Sequence, residues 1–240
     1  MPNIPSGIDT SDIVIRILRS NRKSVVGRVL PDGSVEVRAP LSMTTSRINE
    51  WLDKFEPKFR PMVDEARKTN AYVSGHPFGY GGEMLYRGEW MPIKQAEDGN
   101  GGYMALYRDG AFTFYPGLTE NDMRRHIESL LTDLARPIFE EKLRYYSSLM
   151  NVNCKTWTIG NARKRHGSCD SNRKIILSWR IVMMSDSVMD YVIVHELAHL
   201  KQMNHAKGFH SEVAAILPDW KERQAAHSKY SHVLRCGGWI

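Results

Sequence analysis

His195-Glu196-Leu197-Ala198-His199 sets two imidazoles four residues apart with a carboxylate next to the first. On an α-helix, residues four apart lie one turn above each other on the same face, so both rings can point at one metal ion. Glu196 is turned roughly 100° from His195 at about 3.6 residues per turn. It falls beside the metal, where it can accept a proton from zinc-activated water. His205 follows ten residues after His195. Three neutral nitrogen ligands, one carboxylate base and an open fourth position describe a catalytic zinc site, and imidazoles favour Zn²⁺ over the harder Mg²⁺ or Ca²⁺. An incidental histidine pair on a surface helix would have polar neighbours. Here they are Tyr191, Val192, Ile193, Val194, Leu197, Ala198 and Leu200. Such a helix is buried, and two buried histidines with a buried glutamate need a reason.

The elements that must hold these residues come from a chain of 240 residues, 42% hydrophobic and 25% charged. That is the composition of an ordinary globular protein with ample core, not of a disordered or membrane one. MPNIPSGIDTSD lacks a basic start followed by an apolar stretch, so no secretory signal is expected. No run approaches the roughly 18 apolar residues of a membrane span. Cys154, Cys169 and Cys236 are odd in number and scattered, which suits reduced thiols in the cytoplasm. A net charge of +6 favours acidic partners without specifying one. Arg16, Arg19, Arg22, Lys23 and Arg28 cluster near the start, and Arg163-Lys164-Arg165-His166 lies shortly before the histidine motif.

The first part reads as strands, at 13–18, 25–30 and 35–38, with Pro31-Asp32-Gly33 as a turn. A helix from Thr45 to Phe55 follows, capped by Thr44 or Thr45. The grammar recurs 77 residues later, where Asp109-Gly110, Phe112, Phe114 and Leu118 answer Asp32-Gly33, Val35, Val37 and Leu41. This is either a weak internal repeat of hairpin and helix or shared turn chemistry. Between the copies, Met84–Tyr86 and Glu89–Met91 read as short strands and 97–102 as a hairpin tip. A helical pattern runs from Glu120 to about Leu149, with Thr119 and Asp122 as a capping box and Pro137 starting a second helix or kinking the first. Thr156–Ile159 is strand-like, 163–172 a polar loop and Lys174–Val182 a strand. The motif helix is expected over 187–203, capped by Ser185, Asp186 and Ser187 with Ser187 and Asp190 forming an S-x-x-D box, followed by helices over 207–217 and 220–230.

The runs Arg165-His166-Gly167-Ser168-Cys169, IILSWR, VIVHELAHL, NHAKGF and LPDWKER, with Arg22-Lys23-Ser24 and Pro31-Asp32-Gly33-Ser34-Val35 upstream, closely resemble the YgjP-like metallopeptidase family. That family is a zincin-type group related to SprT-like and WLM proteases. The resemblance covers roughly residues 13 to 235. It implies an α+β zincin-like fold with His195, His199 and His205 as zinc ligands and Glu196 as base. His166 stands where the family usually has Trp, and His210 where it usually has an aromatic residue. Asn204, tolerant of the left-handed conformation, can supply the turn that metzincins make with Gly where this chain has Gln202.

The expected organisation is a β-rich subdomain over 1–118 and a helical catalytic subdomain over 119–240, or one continuous domain over 13–235. Arg165, His166 and Tyr230 are candidates for substrate binding; a solvated loop arginine and a helix-packing tyrosine are the bland readings. Cys169 reads as a small buried residue, and Trp179 and Trp220 as packing. The strand 175–181 is either a candidate edge for an extended substrate or an interior strand. The expected activity is hydrolysis of a peptide or protein substrate. Two alternatives stay open. One is a nucleoside triphosphate phosphohydrolase using the basic loop for bidentate phosphate contacts, although no Gly-rich phosphate loop is present. The other is a basic DNA-associated module with a structural metal. The oligomeric state is not legible.

Overall fold

The computed structural model describes residues 12–97 and 99–240. The segment read for a secretory signal, 1–11, lies outside them, apart from Asp12. Two compact units result: one runs to Gly75 and includes His232–Gly238, and the other comprises His76–Ser231 with Trp239–Ile240. The boundary expected at 118 falls inside the second unit. The reason is packing, since the sheet before residue 118 is tied to the segment 182–183. The β-turn amides of Arg87 and Gly88 donate to the carbonyls of Val182 and Met183, at 2.9 and 3.1 Å.

In the first unit β1 (Ile15–Ser20), β2 (Val26–Val29) and β3 (Val35–Pro40) form a sheet in the order β1-β3-β2. Inward-facing Val35, Val37 and Ala39 pack with Ile48, Leu52 and Val63 of α1 (Thr45–Ser74). Thr44 caps α1 by accepting from the Arg47 amide. The helix does not stop at Phe55; it continues through Pro57 and Pro61. Each interior proline costs about 3 kcal/mol. The buried stripe Ile48, Leu52, Val63, Ala66, Val73 continues past both prolines, and burial of a large apolar side chain returns about 1.5–3 kcal/mol.

The second unit opens with a sheet in the order β4-β5-β7-β6, from β4 (Glu83–Tyr86), β5 (Glu89–Gln95), β6 (Ala105–Arg108) and β7 (Ala111–Phe114). Because β5 pairs parallel to β7, the segment 97–102 belongs to a crossover and is not a hairpin tip. Helix α2 (Glu120–Met150) carries the expected Thr119–Asp122 capping box and passes Pro137 without a break. Next come β8 (Thr156–Gly160), β9 (Gly167–Cys169) and β10 (Lys174–Ser178), in the order β8-β10-β9. The expected polar loop 163–172 therefore contains a strand. The expected strand 174–182 ends at Ser178, whose hydroxyl caps a 3-10 turn over Trp179–Met183. A run buried on every side has no periodicity to separate these states.

Helices α3 (Asp186–Ala198), α4 (Lys207–Ile216) and α5 (Trp220–Cys236) complete the chain. The α+β class, strand-rich first and helical later, is as expected. Of the expected capping residues Ser185 is the one that precedes α3, without a side-chain cap bond, and Asp190 pairs with Lys142 and Arg223 at 2.6 and 3.4 Å instead of forming the S-x-x-D box. The topology β1β2β3α1 is repeated by β5β6β7α2 and by β8β9β10α3. In each, the third strand lies between the first two, parallel to the first and antiparallel to the second. Gly33, Gly110 and Arg173 give each second-to-third turn a positive φ. Among the described residues no helix is long and apolar enough to cross a membrane.

Candidate metal centre

Helix α3 is packed by α2, β9, β10 and α4, which explains its apolar circumference. It ends at Ala198, five residues short of the expected Met203. The amides of Lys201 and Gln202 both return to the Ala198 carbonyl, at 3.0 and 2.9 Å, so the chain turns sharply just past His199. Asn204 is not in the left-handed region. Its side chain accepts from the Ala206 amide at 3.2 Å, ordering the turn by hydrogen bonding instead. The turn returns His205 to the helix, with His205 Nε2 and His195 Nε2 3.1 Å apart. Ligand atoms of His195, His199 and His205 all lie within 4.8 Å of one another. Two nitrogens on a tetrahedral zinc, each about 2.0–2.1 Å from it, stand roughly 3.4 Å apart. The donor set and spacing therefore fit such an ion. His210 is not drawn in; it stacks on Trp220 with 4.9 Å between ring centroids.

Two neighbours set the ring orientations. His199 Nδ1 donates to the Gln202 carbonyl at 3.1 Å, which fixes the tautomer and leaves Nε2 as the donor to a metal. Phe209, on α4 and fully buried, lies 4.6 to 4.8 Å from all three imidazole centroids and floors the cluster.

A family model for the YgjP-like metallopeptidase domain matches residues 23–227. The chain belongs to that family. The crystal structure of the metallopeptidase zymogen of Pyrococcus abyssi abylysin is 22% identical over 36% of this chain and 89% of its own, with a TM-score of 0.34. No curated protein matches.

Within this YgjP-like domain Glu196 is 6% exposed. Gly167 opens β9 directly against it: a Cβ there would lie 2.6 Å from Glu196 Cγ and nearer still to Oε1. Burial pushes the Glu196 carboxyl up to about 8, with Arg165 opposing the rise. Burial, then the charges of His199 and His205, drives His195 down to about 3. His199 and His227 are lowered too, each chiefly by burial. These imidazoles are therefore neutral at pH 7, the form that ligates metal.

Arg165 is exposed at the approach to β9, and His166 is buried behind it. Tyr230 is not brought to the histidines. Its hydroxyl would meet a Cβ on Gly88 at 2.7 Å, beside Ser185 at the start of α3, and at about 1.5 Å per residue His195 stands some 15 Å further along. Sequence reasoning missed His227. On α5, it shares a 2.8 Å hydrogen bond with His166, and its ring is 6.0 Å from Tyr191, itself 5.8 Å from His195. No local pattern marks it. Cys169 lies half-buried in β9, its thiol pushed up to about 11 by burial and by Glu196 and Asp170, as an inert residue would be. Trp179 is buried, as expected of packing.

These shifts predict the pH dependence of chelator-treated protein. The depressed histidines contribute stability above their ordinary 6.5, lost as pH falls toward 3. The raised glutamate contributes stability below its ordinary 4.5, lost as pH rises through 8. Thermal melts from pH 4.5 to 9 should peak near 6.5 and fall on both sides, by up to about 1.4 kcal/mol per pH unit for each titrating group. Glu196→Gln should flatten the alkaline limb and steepen the acid one, because the glutamate opposes the histidines between 4.5 and 6.5.

Proposed function

We propose that this protein is a zinc-dependent peptidase of zincin type. One observation carries the reading: three imidazoles converge at the end of a buried helix, and the neighbouring carboxylate of that helix packs against a sheet edge. A zinc ion held by His195, His199 and His205 would supply Lewis acidity to a substrate carbonyl. Beside the charge of such an ion the Glu196 carboxyl would come back down from its raised value, leaving it free to accept the proton of the attacking water and return it to the leaving amine.

Strand β10 is interior and β9 lies at an edge of the sheet, as does β8, so the docking strand shifts from β10 to β9. The pairs His166–Ser178 and Asp170–Lys174 point their backbone groups at β10. By the two-residue period of an antiparallel ladder, Gly167 and Cys169 turn their N–H and C=O groups outward. An extended peptide hydrogen-bonded there passes Glu196. The cytoplasm suits the three free cysteines.

The test is hydrolysis of an unfolded protein by zinc-loaded enzyme, by chelated enzyme and by His199→Ala, with nucleoside triphosphates assayed in parallel. Cleavage is expected from the loaded wild type, with at least about 100-fold less from the other two and less zinc per chain in His199→Ala. Metal-dependent phosphate release without proteolysis would overturn the reading in favour of phosphoanhydride hydrolysis.

A further inference from the structure

Arg163, Lys164 and Arg165 form the approach to β9, and all three are exposed. Among the described residues none of the three takes part in an ion pair. Nearby acids are engaged elsewhere. Asp170, at the far end of β9, accepts from the amides of Asn172 and Lys174 at 2.9 and 3.0 Å. Glu128 accepts from the Asn161 amide group at 2.5 Å. The charge of Arg165 reaches Glu196, and that of Arg163 reaches Arg180. One end of the edge strand is thus strongly positive and unneutralised, two residues from the glycine that meets the reacting carboxylate.

We propose that Arg163, Lys164 and Arg165 make the site select peptides with acidic side chains on one flank of the scissile bond. This rests on the peptidase reading. A peptide laid along Gly167 and Cys169 must run on past Arg165, whichever way it points. Its residues on that side meet the three exposed cations that lead into the strand. Each attracts an acidic side chain weakly through water, and together they are worth about tenfold in the specificity constant at low salt. The preference belongs to one flank because at the opposite end of β9 Asp170 offsets the charge of Arg173, and both act on Cys169 there.

The experiment compares three peptides sharing one cleavable core: neutral, acidic on the N-terminal flank, and acidic on the C-terminal flank. With zinc-loaded wild type, kcat/KM should be about tenfold higher for one acidic peptide than for the neutral one. The ratio should shrink toward one at about 0.5 M salt. Arg163→Glu/Lys164→Glu/Arg165→Glu should bring it to one or below, and Arg163→Gln/Arg165→Gln to an intermediate value if the triple variant folds poorly. Equal rates for all three peptides, or a ratio that charge reversal leaves unchanged, would overturn the proposal. Binding of the same labelled peptides to Glu196→Gln separates the two failures. If wild type cleaves nothing, the peptidase reading falls, and salt-sensitive preference of Glu196→Gln for one acidic peptide still upholds the cationic approach. Absence of that preference, or displacement only by a nucleoside triphosphate, sinks it.

Discussion

Glu196→Gln should lower kcat for peptide hydrolysis by about a thousandfold while leaving zinc content unchanged. The replacement keeps the length and shape of the side chain but removes the proton acceptor, and general base catalysis contributes about 10²–10⁴-fold. The metal should stay because the nitrogen cluster consists of His195, His199 and His205 without the carboxylate. The fold should stay because Glu196 is buried with its charged form disfavoured, so a neutral amide of equal size removes a desolvation cost. Metal analysis, thermal melting and single-turnover rates on the same preparation check all three. Full activity with full zinc would show that another group takes the proton.

Gly167→Val should depress activity by at least about a hundredfold, with the histidine cluster intact. A Cβ at this position would lie 2.6 Å from Cγ and 2.7 Å from Cδ of Glu196. Contacts this short force one partner to move. Strand β9 is fixed by its ladder to β10, so the carboxylate gives way. A misplacement of about 1 Å in a reacting group is enough for a loss near 10²-fold. The added isopropyl group also covers the outward edge beside Gly167. The variant should bind zinc as wild type does and lose turnover; Gly167→Ala should show the same pattern more weakly. Wild-type rates in Gly167→Val would remove both the close approach and the substrate path along β9 from the reading.

The chemistry is legible in the sequence because its parts are local. Two histidines and a glutamate within one helical turn declare their geometry, and the apolar flanks declare burial. The third histidine also comes within the next short turn. Long-range contributions are silent. His227 reaches His166 across 61 residues, and nothing around His227 in the sequence differs from a polar helix face. Strand β9 is hidden because Gly167-Ser168-Cys169 has neither alternation nor β-branched residues, and its pairing with Ile175–Leu177 decides its state. The full length of α1 is masked by prolines, whose strong local penalty is outweighed by tertiary burial. Tyr230 is a candidate by analogy with other zincins, and packing puts it at the wrong end of α3. What can be read across distance is turn chemistry: Asp32-Gly33 and Asp109-Gly110 announce two hairpins, while the third uses Arg173 at φ 64° and gives no warning.

The strand order shared by the three β-β-β-α segments constrains when each can fold as the chain leaves the ribosome. The first and second strands of each segment never touch; each pairs with the third, and of the six only β5 has another partner, β4. Until β3 emerges, β1 and β2 have no partner in their sheet, and the same holds for β6 before β7 and for β8 and β9 before β10; β5 alone can pair earlier, with β4. Each late strand then closes two pairings at once over only 13 to 15 intervening residues, so the entropic cost of closure is small. During synthesis each sheet is therefore completed only when β3, β7 or β10 emerges, with the β4–β5 hairpin able to form ahead of β7. The last completion, at β10, creates the edge beside Glu196 before the helix that bears Glu196 has been made.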